Sequence, residues 1–364
     1  MGIGIAKPMV GLEEIEQVTR VINSGMIASG PETQSFEEEF ADFVGTQYAC
    51  AVNNGTSALS LALSAMGVGP GDEVITTPFT FIATANSILS CGATPVFAEI
   101  DPVSYNLTPD SSESCITPAT KAIIPVHLYG LPADMEGFSR LSEKYGVGII
   151  GDAAQAHGAA IGEGKVGSLA DIECFSFYPT KNMTTGEGGM VTTNNGDLYH
   201  LLNSIRNHGR PSSQLGVYEH EIFGLNLRLT DIASAIGRVQ LRKLPGMNEI
   251  RARNATILQE SLIGLDGIFL PVTPSGVTHS WHQFTIRTSD RDSLREFLTH
   301  HEIGSGVYYP RVLYDYPHLS KFRSDCPISE ESARTVLSLP VHAGLSEEEV
   351  LEVAKRVIQW HGSN

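Results

Sequence analysis

Strand-like and helix-like patterns alternate over roughly the first 150 residues of the chain. Short apolar runs typical of strands occur at residues 48–52, 73–77, 94–100, 121–126 and 147–150, and segments of helical length separate most of them. This alternation is typical of βαβ units, in which parallel strands form one sheet that helices cover on both faces. We therefore predict an α/β fold built on a mainly parallel sheet.

The alternation is lost near Leu244-Pro245-Gly246, and a helix that begins at Thr230-Asp231 is predicted to run only to about Leu241. Because proline and glycine interrupt helices, we place a hinge there. Helices and short strands follow in mixed order, which is typical of an α+β arrangement. The sequence thus predicts a large domain over residues 1–245, N-terminal helix included, and a smaller C-terminal domain over residues 246–364.

The N-terminal helix is predicted over residues 12–24. Its apolar residues Leu12, Ile15, Val18 and Ile22 recur at helical spacing, and acidic residues occupy its first turn. This pattern indicates an amphipathic helix.

Composition excludes several classes of protein. A formal net charge of −17 argues against nonspecific binding to nucleic acid, which needs a basic surface. No apolar run is long enough to cross a bilayer, and the start of the chain lacks the pattern of a secretory signal. The five cysteines are odd in number and lack CxxC spacing, so we expect reduced thiols and no metal site. Together these features predict a cytoplasmic protein.

One lysine, Lys181, stands between a predicted strand and a glycine-rich loop. The stretch at residues 172–193 opens with alternating apolar residues, breaks at Pro179, and continues after Lys181 into glycines 186, 188 and 189. A partly desolvated amine at the rim of a sheet is a good nucleophile towards carbonyl groups, whereas a solvated loop lysine has no such role. Lys181 is therefore our candidate for the chemistry, and it needs support from other segments.

Two further segments place polar residues at the ends of predicted strands. Gly55, Thr56 and Ser57 lie between a strand and a helix, where backbone amides bind an anion or where a hydroxyl simply caps the helix. Asp152 follows the strand at residues 147–150 and is either a helix cap or an acceptor for a protonated ring nitrogen. Ligands bind at the carboxyl ends of strands in open α/β sheets, so both segments are candidates for one site.

Five segments in this order resemble the DegT/DnrJ/EryC1/StrS family of sugar aminotransferases. They are GTSAL (55–59), PFTFIAT (78–84), GDAAQAHGA (151–159), FSFYPTKNMTTGEGG (175–189) and GLNLRLTD (224–231). The resemblance covers nearly the whole chain. It implies the fold type I of pyridoxal 5′-phosphate enzymes, which is like that of aspartate aminotransferase.

The resemblance also implies a role for individual residues. Lys181 forms a Schiff base with the cofactor and shuttles a proton, and Asp152 pairs with the pyridinium nitrogen. Phe81 stacks on the ring, and Gln155 lies near its phenolic oxygen. The phosphate is bound by Gly55, Thr56, Ser57 and Ser176, and by Asn226 of a neighbouring subunit, so a homodimer shares its active sites. Arg228 and Tyr309 are the residues that we predict to contact substrate.

The activity implied is transfer of an amino group, from glutamate or glutamine, to a keto carbon of a nucleotide-linked sugar. The segment GVYYP (306–310) resembles enzymes acting on 3-keto sugars, although Arg311-Val312 replaces the small residues of the family pattern. A keto-cyclitol substrate is an alternative, as is a ligand-binding regulator without turnover. A nicotinamide-binding enzyme ranks last because no GxGxxG follows the first strand.

Overall fold

The structure, a computed structural model, describes residues 2–211 and 219–363, and over these ranges a seven-stranded sheet forms the centre of the molecule. Two smaller sheets, of three strands and of two, accompany it. In chain order the strands are β1 (Tyr48–Val52), β2 (Glu73–Thr76), β3 (Thr94–Phe97), β4 (Thr120–Ile124), β5 (Gly148–Asp152), β6 (Ala160–Ile161), β7 (Gly164–Lys165), β8 (Ile172–Ser176), β9 (Gly189–Thr193), β10 (Val277–Thr278), β11 (Phe284–Arg287) and β12 (Val336–Leu339).

Helices cover the central sheet and build most of the C-terminal part. In chain order they are α1 (Leu12–Ser24), α2 (Pro31–Val44), α3 (Gly55–Ala65), α4 (Ala83–Ser90), α5 (Pro109–Glu113), α6 (Met135–Tyr145), α7 (Gly196–Arg206), α8 (Asp231–Leu262), α9 (Arg291–His300), α10 (Pro327–Thr335) and α11 (Glu347–His361). None of the helices in the described ranges is both long enough and apolar enough to cross a membrane.

The central sheet confirms the predicted α/β fold. Its order is β1-β9-β8-β5-β4-β2-β3, and the pairs β5–β8, β4–β5, β2–β4 and β2–β3 are all parallel. Only β9, which follows the Lys181 loop, runs antiparallel to both of its neighbours. Because β5 and β8 are adjacent and parallel, the residues at their carboxyl ends meet at one edge of the sheet.

The end of the helix that we predicted before Leu244-Pro245-Gly246 is wrong. One helix, α8, runs for 32 residues through Pro245 and passes the predicted end at Leu241. A proline inside a helix costs a backbone hydrogen bond and a steric clash. Leu244 and Met247, on either side of Pro245, are buried in a core shared with α2, and α8 also packs against α1 and α11. This packing outweighs the local preference.

Most of the apolar side chains of α1 do not face the core, and Val21 is its one buried apolar residue. Leu12 is 77% exposed, Ile15 and Ile22 are also exposed, and Glu14 is buried instead. The Glu14 carboxylate accepts hydrogen bonds from Gln240 Nε2 (2.8 Å) and Lys243 Nζ (2.9 Å), both on α8. The helix therefore docks through the side that carries Glu14 and Val21, and it leaves Leu12, Ile15 and Ile22 exposed.

The C-terminal part forms a separate core around the antiparallel pair β11–β12. Helices α9 and α11 cover this pair. The start of the chain joins the same core, since Ile3 pairs with Ile303 across a parallel bridge. Because α8 continues through residues 245 and 246, the division into domains over 1–245 and 246–364 stays a prediction.

Candidate active site

A cavity of about 510 Å³ opens at the carboxyl edge of the central sheet. It brings together eight of the eleven residues predicted for the site, and Ser57, Asn226 and Arg228 are the three that do not line it. The eight lining residues are Gly55, Thr56, Phe81, Asp152, Gln155, Ser176, Lys181 and Tyr309. These residues come from segments as far apart in the chain as Gly55 and Tyr309, so the fold assembles them.

One wall of the cavity is the start of α3, which lies against the end of β8. A Cβ atom on Gly55 would come within 2.6 Å of Ser176 Cβ, so only glycine allows this approach. The helix is capped by Asn54, whose Oδ1 accepts the Ser57 amide at 2.8 Å. The Ser57 amide is thereby used, and the amides of Gly55 and Thr56 remain to face an anion. The alternative left open for this segment, in which a Thr56 or Ser57 hydroxyl caps the helix, is not found, because Asn54 is the cap.

Asp152 is the last residue of β5 and is only 5% exposed. Its Oδ2 accepts the Thr84 hydroxyl at 2.8 Å, and its Oδ1 accepts the Ala154 amide at 3.2 Å. Burial raises the pKa of this carboxyl above its ordinary value, while these two donors and the Lys181 cation oppose the rise. The carboxylate is thus held in one orientation at the cavity wall and favours a cationic partner.

Lys181 sits in the connection between β8 and β9 and is half-buried. The loop is fixed by hydrogen bonds at both ends: Phe177 donates its amide to Gly188 O (2.9 Å), and Thr184 donates its hydroxyl to Phe177 O (2.8 Å). Burial lowers the pKa of the Lys181 amine to about 8, and the nearby Asp152 carboxylate partly opposes this shift. At a given pH, a larger fraction of Lys181 is therefore in the neutral form than of a solvated lysine.

We expect acylation of Lys181 in cofactor-free protein by acetic anhydride to accelerate as pH rises through about 8, because only the neutral amine is nucleophilic. Below that pH the amine is protonated and reacts slowly. Mass spectrometry of the peptide that contains Lys181 gives the rate at each pH. A midpoint about two units higher, as for a solvated lysine, would contradict the depressed pKa.

Phe81 and Tyr309 add aromatic rings to the same cavity. Phe81 lines the cavity and is 56% exposed, and its ring lies 6.1 Å from that of Tyr309. It is therefore a wall of the cavity rather than a core residue. Gln155 is fixed between two partners, since its Oε1 accepts the Tyr129 amide (2.8 Å) and its Nε2 donates to the Tyr309 hydroxyl (3.1 Å).

Asn226 and Arg228 lie outside the cavity of their own chain. Asn226 is exposed and bridges to Asn207, whose Oδ1 accepts a hydrogen bond from Arg228 (2.7 Å). The Arg228 backbone bridges to Val52 at the end of β1. Neither side chain lines the cavity that contains Lys181 and Asp152.

Several cavity residues were not singled out from the sequence. Thr84 lies in the segment PFTFIAT, one of the five segments of the family resemblance, and that membership is the signal that could have identified it. His282, Gln283 and Arg311 come from the C-terminal half of the chain, where the strand and helix alternation is lost and gives no position relative to the sheet.

The cavity fits pyridoxal phosphate. Free amides of α3 stand beside the Ser176 hydroxyl, which has no hydrogen-bond partner within residues 2–211 and 219–363, and together they suit a phosphate group. The exposed face of Phe81 suits an aromatic ring, and the buried Asp152 suits a protonated ring nitrogen. Lys181 lies in the same cavity to bond to an aldehyde.

The comparisons with known proteins agree with this geometry. The sequence profile of the DegT/DnrJ/EryC1/StrS aminotransferase family matches residues 8–358. A UDP-N-acetyl-3-dehydro-alpha-D-glucosamine 3-aminotransferase from Acidithiobacillus ferrooxidans is 42% identical over 94% of this chain and 92% of its own length. A dTDP-3-amino-3,4,6-trideoxy-alpha-D-glucose transaminase from Streptomyces venezuelae is 40% identical over 94% and 90%.

A solved structure shares the architecture. It is the crystal structure of S. venezuelae DesV in complex with a ketimine intermediate, with a TM-score of 0.92 and 40% identity over 96% of this chain and 94% of that one. The predicted fold type is thereby confirmed. The chain belongs to the DegT/DnrJ/EryC1/StrS aminotransferase family and is a pyridoxal phosphate-dependent enzyme.

Proposed function

We propose that this enzyme transfers an amino group from glutamate to a keto carbon of a nucleotide-linked sugar, with a 3-keto sugar as the first candidate. The observation that carries the proposal is the meeting of Lys181 and Asp152 in one cavity beside an anion cradle. A ligand-binding regulator has no use for a lysine of depressed pKa, and this favours turnover.

The side chains that line the cavity have different roles in the proposed reaction. Pyridoxal phosphate, when bound, supplies an electron-withdrawing ring that stabilises negative charge on the carbon bearing the amino group. Lys181, with its pKa of about 8, accepts a proton from that carbon and returns it, because an amine near neutrality serves both directions. Asp152 holds positive charge on the ring nitrogen, and Gln155 and Phe81 hold the ring in place.

Support for a nucleotide-linked substrate comes from the relatives and from one arginine. The names of two relatives specify a UDP-linked and a dTDP-linked amino sugar. Arg311 lines the cavity, is exposed, and forms no ion pair or hydrogen bond through its side chain within the described ranges. In a chain of net charge −17, an unpaired guanidinium at the cavity suits a diphosphate.

We propose a homodimer in which each subunit completes the active site of the other. The exposed apolar side of α1 supports this assembly, as does a second exposed apolar segment beside Asn226, where Phe223 is 83% exposed. Asn226 and Arg228, which lie outside their own cavity, then reach the partner's site, with Asn226 at the phosphate and Arg228 at the substrate.

Mixing two impaired variants tests the shared site. We expect Lys181→Ala and Asn226→Ala homodimers each to be impaired, the latter by about tenfold for one lost hydrogen bond to phosphate. When the two are co-expressed and assort at random, hybrid dimers contain one intact site, so activity returns to about a quarter of the wild-type value. Without shared sites, the mixture shows no activity beyond the residual activity of its Asn226→Ala subunits, and this outcome would contradict the proposal.

A reduced-thiol environment also fits the chain, since all five cysteines are unpaired. Three of them, Cys50, Cys174 and Cys326, are buried. This supports the expected cytoplasmic location.

The visible spectrum tests the reaction. The purified enzyme should be yellow, and glutamate should bleach the long-wavelength band as the amino group moves to the cofactor. A UDP-linked 3-keto sugar should then restore the band, whereas a keto-cyclitol should not. Restoration by the cyclitol alone would replace the proposed acceptor, and a failure to bleach with glutamate or glutamine would contradict amino transfer from these donors.

A further inference from the structure

A chain of hydrogen bonds next to Lys181 fixes the orientation of two buried amides. Asn248 Nδ2 donates to the carbonyl of His157 at 2.8 Å, which leaves Asn248 Oδ1 as an acceptor. Asn182 Nδ2 donates to that Oδ1 (2.9 Å) and to the carbonyl of Ser280 (2.7 Å). Both hydrogens of the Asn182 amide are thereby used, and its Oδ1 is an acceptor.

This chain determines the tautomer of His282. His282 Nδ1 lies 3.3 Å from Asn182 Oδ1, and because that oxygen can only accept, Nδ1 carries the hydrogen. In a neutral imidazole the other nitrogen, Nε2, is then a bare acceptor. Nε2 has no hydrogen-bond partner within residues 2–211 and 219–363 and is not sealed from solvent, and His282 lines the same cavity as Lys181.

The surroundings keep His282 neutral. Its side chain is buried, and burial together with the positive charges of Lys181 and Arg251 holds its pKa well below the ordinary value. The nearby His157 and His279 act in the same direction. A histidine that resists protonation so strongly is a poor general base. Its remaining chemical capacity is to accept a hydrogen bond.

We propose that His282 Nε2 accepts a hydrogen bond from a hydroxyl group of the bound sugar, and that His282 is a specificity-determining residue of this enzyme. The inference rests on the proposed function and narrows its substrate class to sugars that carry a hydroxyl at that point. A desolvated acceptor that finds no donor costs binding free energy, so a substrate without the hydroxyl is disfavoured. Because the tautomer is fixed, His282 Nε2 can only accept a hydrogen bond. A sugar that places a donor there is favoured, and one that places an acceptor there is rejected.

Binding of sugar analogues to the pyridoxal phosphate-loaded enzyme tests this inference. The probes are UDP-N-acetylglucosamine and its 4-deoxy and 6-deoxy analogues, with affinity measured by calorimetry. We expect the wild-type enzyme to bind the parent roughly tenfold more tightly than one of the two analogues. His282→Leu should bind that analogue and the parent equally. His282→Gln, which offers a carbonyl oxygen of similar reach, should retain part of the preference.

Controls separate a lost hydrogen bond from a lost fold. His279→Leu removes another buried histidine that does not line the cavity, and it should leave the preference intact. Bleaching by glutamate shows that each variant keeps a working site, and His282→Phe replaces His282→Leu if the latter does not fold.

The outcomes bear differently on the two proposals. A wild-type enzyme that bleaches and binds the parent probe without preferring it to either analogue overturns the role of His282 alone. A preference that survives both His282→Leu and His282→Phe also overturns that role. A wild-type enzyme that does not bind UDP-N-acetylglucosamine contradicts the proposed substrate class, and the inference with it.

Discussion

We expect Lys181→Ala to lower the rate of amino transfer by about a thousandfold or more, because the variant lacks both the nucleophile and the group that moves the proton. The fold should persist, since the Lys181 loop is fixed by bonds of Phe177 and Thr184 and not by the lysine side chain. Bleaching of the visible band by glutamate, measured by stopped flow, gives the rate.

Lys165→Ala is the matched control. Its Nζ donates to the carbonyl of Phe43 at 2.7 Å and Lys165 does not line the cavity, so its loss should leave the rate unchanged. A small amine such as methylamine should partly restore Lys181→Ala, because it can enter the space left by the lysine side chain and move the proton. Wild-type rates in Lys181→Ala would show that another group performs the chemistry.

The meeting of Lys181 and Asp152 could be predicted because both lie at the ends of strands. A parallel sheet aligns the carboxyl ends of its strands, and β5 and β8 are neighbours, so motifs that follow them share an edge. Gly55 is at the same edge for the same reason, since it follows β1. Local sequence patterns are therefore enough to predict that Lys181, Asp152 and Gly55 lie at one edge of the sheet.

The failures of sequence reasoning share one physical cause. The helix α8 continues through Pro245 because distant residues pack against Leu244 and Met247, and no local pattern contains that information. The exposed side of α1 follows from Glu14, which an isolated pattern places at the surface but which finds two donors on α8. The sequence does not predict a role for His282, because that role depends on the side-chain amides of Asn182 and Asn248, which only the folded structure brings together.

The second large effect concerns Asp152. We expect Asp152→Asn to lower kcat/KM by roughly a hundred- to a thousandfold, because it preserves the shape of the side chain and removes the negative charge that keeps the ring nitrogen protonated. The Thr84 hydroxyl, which donates to Asp152 Oδ2, can rotate and accept from an amide, so the fold should be retained. Steady-state kinetics with glutamate and a keto-sugar acceptor measure the effect, and a loss below tenfold would contradict the assigned role.

Thr84→Val separates the charge from its positioning. This variant keeps the Asp152 carboxylate but removes a donor that lowers its pKa, so the pKa rises further above its ordinary value. Activity that needs the carboxylate is lost as pH falls through that pKa, and the acid limb of the kcat/KM profile should therefore move to higher pH in Thr84→Val. At pH values above this limb the variant should lose only about tenfold, the effect of one hydrogen bond. Asp152→Asn should instead be impaired at every pH, because no change of pH restores its charge.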